Sequence, residues 1–209
     1  MTTNLEKRSK KAPSSPAFSL NVDGVKGACP AGEKHAQENI AEGKIPVLSC
    51  EGPCIRGEIA RLAANIVAEE EPYARSCYAE TFLVPHSTMA RWVKDAHRVV
   101  MIDGCFLKCL GRVLKNFIDE EKIIHIDALP MHRKYGDVFL YTDVPEAERT
   151  EVAGQVADRI LTKLREEHDL AVGSVPCRVH RARDCLKGAK VDRLTGSPRP
   201  PFGPGNFPL

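Results

Sequence analysis

Short apolar runs alternate with longer stretches of helical period through the middle of the chain. The run "IPVLSC", residues 45–50, is short, apolar and unbroken, the pattern of a strand buried on both faces of a parallel sheet. It leads into "RGEIARLAANIVAEEE", where Ile59, Leu62, Ala63 and Ile66 keep the i, i+3, i+4, i+7 spacing of a helix facing a core, and Pro72 closes the segment. A less regular piece, "YARSCYAETFLVP", carries Cys77. "HSTMARWVKDAH" then predicts a second helix with Ser87 as its N-cap. "RVVMIDGC" is a second strand, ending at Asp103, Gly104 and Cys105. "FLKCLGRVLKNFIDEE" is a third helix, with Phe106, Leu110, Val113, Leu114 and Phe117 expected on its core side. "KIIHIDAL" is a third strand, and "DVFLYTDV" reads as a further strand or a loop. A long amphipathic helix follows from Pro145, a favoured first position, with acidic residues in its first turns.

This order, strand and helix in alternation, predicts a three-layer α/β/α domain with a small, mainly parallel sheet, Rossmann-like in architecture. The domain is expected over residues 41–172. Residues 1–40 show little periodicity and are expected to form a flexible N-terminal segment. Residues 173–209 are basic and then rich in Pro and Gly, the pattern of an extended C-terminal tail.

Composition narrows the function classes. The 209 residues carry a formal net charge of +2, so the balance calls for neither nucleic acid nor an acidic membrane surface as partner. The basic run "KRSKK" near the start reads as a solvated tail. No apolar run is long enough to span a bilayer, and the first residues lack the apolar core of a secretory signal. The expected location is the cytoplasm. Eight cysteines are therefore expected to be reduced, and clustered thiols in such a compartment point to metal binding or redox chemistry.

The cysteines follow a repeated theme. Two predicted strands end at a cysteine, and a second cysteine follows each four residues later: Cys50 with Cys54, and Cys105 with Cys109. Sites in open α/β sheets form beyond the carboxyl ends of strands. Were the two strands neighbours, both pairs would meet at one edge. A helix beginning at Cys105 would set Cys105 and Cys109 on one face, one turn apart, near an N-terminus that favours thiolate. Cys50, Cys105 and Cys109 then supply three ligands of a tetrahedral zinc site, Cys77 a fourth, and Cys54 a spare. The same sulfurs suit an iron–sulfur cluster, which stands second to zinc. The plain alternative is that the thiols pack as small hydrophobes.

The segment "VVMIDGCFLKCLGRVL" resembles the DGC domain family, named for the Asp-Gly-Cys motif that here is Asp103-Gly104-Cys105. The resemblance covers roughly residues 45–130. It implies a zinc site made by Cys50, Cys77, Cys105 and Cys109, and it implies no reaction. Cys54 and the C-terminal Cys177 and Cys185 have no counterpart in the family pattern.

Cys50 and Arg56 also satisfy C-x5-R, which resembles the anion-binding loop of low-molecular-weight tyrosine phosphatases and arsenate reductases. Pro53 removes an N–H from that loop, Gly57 stands where a hydroxyl residue supports the nucleophile, and the chain has no Asp-Pro dipeptide for a general acid. A third class is thiol redox or sulfur transfer, with Cys50/Cys54 or Cys105/Cys109 as the exchanging pair. Among the remaining residues, Asp103 is expected to orient the turn by accepting N–H bonds. His125 reads as a core or edge histidine. His86 and His132 lie in loops within reach of the site, and Cys29 reads as a plain thiol. Cys177, Cys185 and His180 offer a second metal site or, more simply, part of a basic tail.

Overall fold

The computed structural model describes residues 16–173. Four parallel strands form one sheet in the order β2-β1-β3-β4. They are β1 (Ile45–Ser49), β2 (Tyr73–Arg75), β3 (Val99–Asp103) and β4 (Ile123–Asp127). Among the described residues, seven α-helices accompany them: α1 (Pro30–Ala41), α2 (Ile55–Val67), α3 (Tyr78–Leu83), α4 (Thr88–Asp95), α5 (Cys109–Leu114), α6 (Leu129–His132) and α7 (Glu146–Gly173). This is the mixed α/β arrangement the alternating pattern predicted.

Strand alternation divides the core in two. Val47, Val100, Ile102 and Ile126 pack with Ile55, Ile59 and Ala63 of α2 and with Val152, Val156 and Ile160 of α7. Their sequence neighbours Leu48, Val99 and Met101 turn to the other face and meet Val93 of α4 and Leu114 of α5. Strands β1 and β3, buried on both faces, therefore read as continuous Val/Ile/Leu runs.

Four elements differ from expectation. Helix α1 lies in the stretch expected to be without structure. Pro30 opens it, and Gly43, at φ +68°, takes the left-handed conformation just past its end. It rests against α4 through Ala36, Met89 and Trp92, whose indole N–H donates to the Lys44 carbonyl at 3.1 Å. The irregular segment around Cys77 holds the short edge strand β2 and helix α3. Helix α5 begins at Cys109 rather than Cys105, because Lys108 adopts φ +50° and breaks the run. Phe106 and Val113, expected in the core, are 68% and 45% exposed. Between α6 and α7 the stretch read as a strand or a loop is a loop with one 3-10 turn, Tyr141–Asp143, tied to Cys54 by a bridge from Leu140.

Candidate functional site

β1 and β3 are adjacent, as a shared site requires. Ser49 pairs with Ile102, and the next residue, Cys50, continues the ladder by donating its N–H to the Ile102 carbonyl at 2.9 Å. On the other side of β1, Ser76 donates to the Val47 carbonyl at 3.0 Å, and Cys77 follows it as the N-cap residue of α3. Cys50, Cys77 and Cys105 thus leave the carboxyl ends of three neighbouring strands.

The turn from Cys50 to Cys54 is held from two sides. The half-buried Arg75 guanidinium donates to the Val47 carbonyl and to Ser49 Oγ, both at 2.9 Å, and pairs with Glu51 at the start of the turn. The turn then lies flat on the first turn of α2. A Cβ on Gly57 would sit 2.7 Å from the Gly52 carbonyl oxygen, so a side chain there would push the two apart. Cys54 caps α2: its Sγ accepts the Gly57 N–H at 3.3 Å, the role usually taken by a serine or aspartate oxygen. The position of a Gly52 Cβ would be 3.7 Å from Cys50 Sγ and 3.8 Å from Cys54 Sγ, so both sulfurs border one small space. Burial pushes the Cys50 thiol up. The N–H groups of Gly52 and Gly104 act against this, while Asp103 and Cys54 add to it.

Three of the donors that an anion loop would draw on have other partners in this turn. The Ile55 N–H donates to the Phe139 carbonyl at 2.8 Å, and the Gly57 N–H is taken by Cys54. Arg56 turns away, with Nη2 donating to the Gly136 carbonyl at 2.7 Å and the Tyr135 carbonyl at 3.3 Å.

Asp103, Gly104 and Cys105 each meet a different constraint. Asp103 is 1% exposed. Its Oδ2 accepts the Gly111 N–H at 3.1 Å and lies 2.7 Å from His125 Nε2, while Oδ1 is buried with no hydrogen-bond partner. Orienting the turn through an N–H, expected of Asp103, is what Oδ2 does. Gly104 sits directly on α2, where a Cβ would be 2.4 Å from the Arg56 carbonyl oxygen and 2.9 Å from the Gly57 nitrogen. Cys105 is half-buried in the turn, and Cys109 is exposed at the first position of α5. The two do not share a helical face, because Cys105 precedes the helix.

Of the predicted site residues, Cys50 and Cys54 come together, and Gly104 brings the turn bearing Cys105 against the helix that Cys54 caps. Cys77 and Cys109 are exposed. All six described cysteines are free thiols. Among the described residues, no three Cys, His, Asp or Glu side chains converge into a group that could hold a metal ion. Cys29 is exposed at the start of α1. His86 bonds to the Gly27 carbonyl at 3.0 Å. His132 accepts the Lys134 N–H, and burial followed by the nearby Arg56 charge lowers its pKa. Cys177, His180, Cys185 and the KRSKK run lie outside the described residues.

The Asp103–His125 contact is the feature that sequence reading missed. Its signal was the register of neighbouring strands: Met101 pairs with His125, so His125 shares a face with Met101 and Asp103.

A family model for the DGC domain matches residues 46–156. No curated protein and no solved structure matches the chain. Among the described residues, no helix is long and apolar enough to cross a membrane.

Proposed function

The chain belongs to the DGC domain family, and from that premise we propose that it is a metal-binding protein holding one zinc ion by thiolates at the carboxyl edge of the sheet. Cys50, Cys77, Cys105 and Cys109 are the proposed ligands, with Cys54 as the alternate. The observation that carries this reading is the surroundings of Cys50. Its sulfur borders the same space as that of Cys54, and its charge-bearing neighbours Cys54 and Asp103 are both acidic. Arg56, two residues past Cys54, is bound elsewhere. A cluster of soft, acidic donors suits a divalent cation and repels an oxyanion.

Donor chemistry therefore fits zinc, while the ligands stand apart from one another. Binding is expected to draw in the exposed Cys105–Cys109 turn, so that part of the binding free energy orders the site. Such a protein works in the cytosol, where thiols stay reduced, in metal or redox handling. A second reading, reversible Cys50–Cys54 disulfide exchange, is favoured by the approach of those two sulfurs to one point.

Metal analysis of protein purified without air tests the proposal. The expected result is about one zinc per chain, lost on Cys50→Ser and on Cys105→Ser. Iron with labile sulfide would replace the zinc reading with a cluster. A metal-free protein that forms a Cys50–Cys54 disulfide in glutathione buffer would replace it with thiol exchange.

A further inference from the structure

Among the described residues, four buried side-chain polar atoms have no hydrogen-bond partner. One is Asp103 Oδ1, and the other three are N–H donors: Arg56 Nε, Arg149 Nε and His132 Nε2. Buried donors are nearly always paired, with protein, water or a ligand, so each of these asks for a partner. The Arg149 guanidinium is otherwise engaged, by Glu58 at 3.2 Å and by the Tyr141 ring 5.0 Å away. Arg56 and His132 differ from it in sharing one setting.

Both side chains grip the same short stretch of main chain. His132 Nδ1 accepts the Lys134 N–H at 3.2 Å, and Arg56 Nη2 donates to the carbonyls of Tyr135 at 3.3 Å and Gly136 at 2.7 Å. They lie on one face of the sheet. Arg56 is in the first turn of α2, and Met131 and Tyr135, on either side of His132, pack against the α2–α7 core. Because Nδ1 is the acceptor, Nε2 carries the proton and donates; Arg56 Nε can only donate. Charge agrees with this. Arg56, Lys134 and Arg159 all act on His132, with Asp127 opposing them, while Glu148 is taken by the Tyr135 hydroxyl at 2.9 Å. Burial and those cations lower the His132 pKa, so the ring is neutral at pH 7 and keeps this tautomer. A water would pair with the donors but leave the positive charge uncompensated, whereas an anion answers both. The covering segment is held against its backbone preference, since Arg133 and Tyr135 sit in the left-handed region at φ +51° and +62°. Residues held in this way cluster at ligand clamps.

We propose that Arg56 Nε and His132 Nε2 are the donors of a binding site for a phosphate group, covered by residues 133–136. The oxygens of a phosphate accept a hydrogen bond from each donor, and the bond from the guanidinium is charge-assisted. Both donors are sealed from solvent in the empty site, so the group enters as the covering segment lifts and is held when it returns. The site is independent of the zinc reading, because neither side chain is among the proposed metal ligands.

Thermal unfolding of the full chain in inorganic phosphate, against sodium chloride at equal ionic strength, tests this together with proton–nitrogen NMR of the His132 ring. Phosphate should raise the Tm beyond chloride, and the His132 Nε2–H resonance should move over the same concentrations. His132→Phe keeps a ring against Tyr135 and removes the donor, and should weaken phosphate binding by about tenfold; Arg56→Gln should weaken it by about tenfold or more. Each variant is read against its own Tm in chloride. Phenyl phosphate run in parallel separates the two sources of the group: protection by it marks a site open to esters, and protection by inorganic phosphate alone marks the free ion. Phosphate that protects no better than chloride would overturn the proposal. Equal protection in wild type and both variants would overturn it by placing the phosphate elsewhere. A His132 resonance that ignores phosphate would overturn it too, by assigning the donor to a bound water. If the variants do not fold, the wild-type His132 titration alone decides.

Discussion

Replacing Gly104 with alanine sets two physical arguments against each other. Gly104 has no positive φ, so alanine fits its backbone conformation. By the conformational-entropy argument the substitution should then be neutral or stabilising by about 0.4–1 kcal/mol. By packing it should be destabilising. The new Cβ would lie 2.4 Å from the Arg56 carbonyl oxygen and 2.7 Å from its carbon, and relief to an ordinary 3.4 Å contact needs a shift of about 1 Å. Both neighbours are main-chain atoms of α2, so no side-chain rotation provides that shift. The helix is fixed by Ile55 and Ile59 in the core, and the turn is fixed by buried Asp103. Overpacking of this kind costs about 1–3 kcal/mol, and the rigid neighbours put Gly104 toward the upper end. After subtracting the entropy gain, the net loss is about 2 kcal/mol, which is a fall in Tm of about 4–8 °C for a chain of this size. Thermal unfolding followed by circular dichroism reads it. Gly154→Ala in α7 is the control, because its Cβ would meet nothing within 4 Å; it should stabilise by up to about 1 kcal/mol through helix propensity. Gly104→Ala that melts at or above the wild-type temperature would refute the packing argument.

Other positions give further outcomes. Gly111→Ala would place a Cβ 2.4 Å from Asp103 Oδ2 and 2.7 Å from His125 Nε2. It should destabilise by about 2 kcal/mol despite favouring the helix, and a Gly111→Ala/His125→Ala double variant should recover part of that loss in a double-mutant cycle. Burial raises the Cys50 pKa, so in metal-free protein its contribution is fully present below the ordinary thiol value of about 8.5 and is lost as pH rises through the raised folded value. Urea midpoints measured across alkaline pH should fall less steeply in Cys50→Ala; parallel curves would count against the burial argument. Arg56→Ala should lower stability by about 0.5–1.5 kcal/mol by removing its hydrogen bonds to the Tyr135 and Gly136 carbonyls, while zinc content stays at the wild-type level. Loss of zinc in that variant would show that the side chain serves the site after all.

How much of this was legible in advance depended on the range of the interactions. Strands β1 and β3 are buried on both faces, so unbroken apolar runs announced them. Strand β2 is three residues long and ends in Arg75, a poor advertisement for a strand. Its guanidinium is accommodated by Val47, Ser49, Glu51 and Asn65, partners that only the fold assembles. Helix α1 was missed although Pro30 and Gly43 mark its ends, because it buries little beyond Ala36 and Asn39 and shows weak periodicity. A shared edge for Cys50 and Cys105 was legible only as a condition, that their strands be neighbours, and the sheet order meets it. The start of α5 did not, because it turns on one backbone angle at Lys108. The cap formed by Cys54 is local, but cysteine is outside the usual capping residues, so the sequence left its role open.

The Asp-Gly-Cys tripeptide is better understood as a device for delivering a thiol than as a ligand motif with two fillers. Asp103 anchors the turn from below through Gly111 and His125. Gly104 permits main-chain contact with the first turn of α2, the helix that Cys54 caps. Cys105 is the next residue along the chain from that contact. Donor and delivery are therefore separable by experiment. Cys105→Ser removes the sulfur and leaves the close approach intact, so it should abolish zinc binding with little change in stability. Gly104→Ala keeps every sulfur and displaces one of them, so stability and zinc affinity should fall together. If the two variants lose zinc with the same stability, position contributes nothing beyond the thiol, and the glycine between Asp103 and Cys105 has no role in the site.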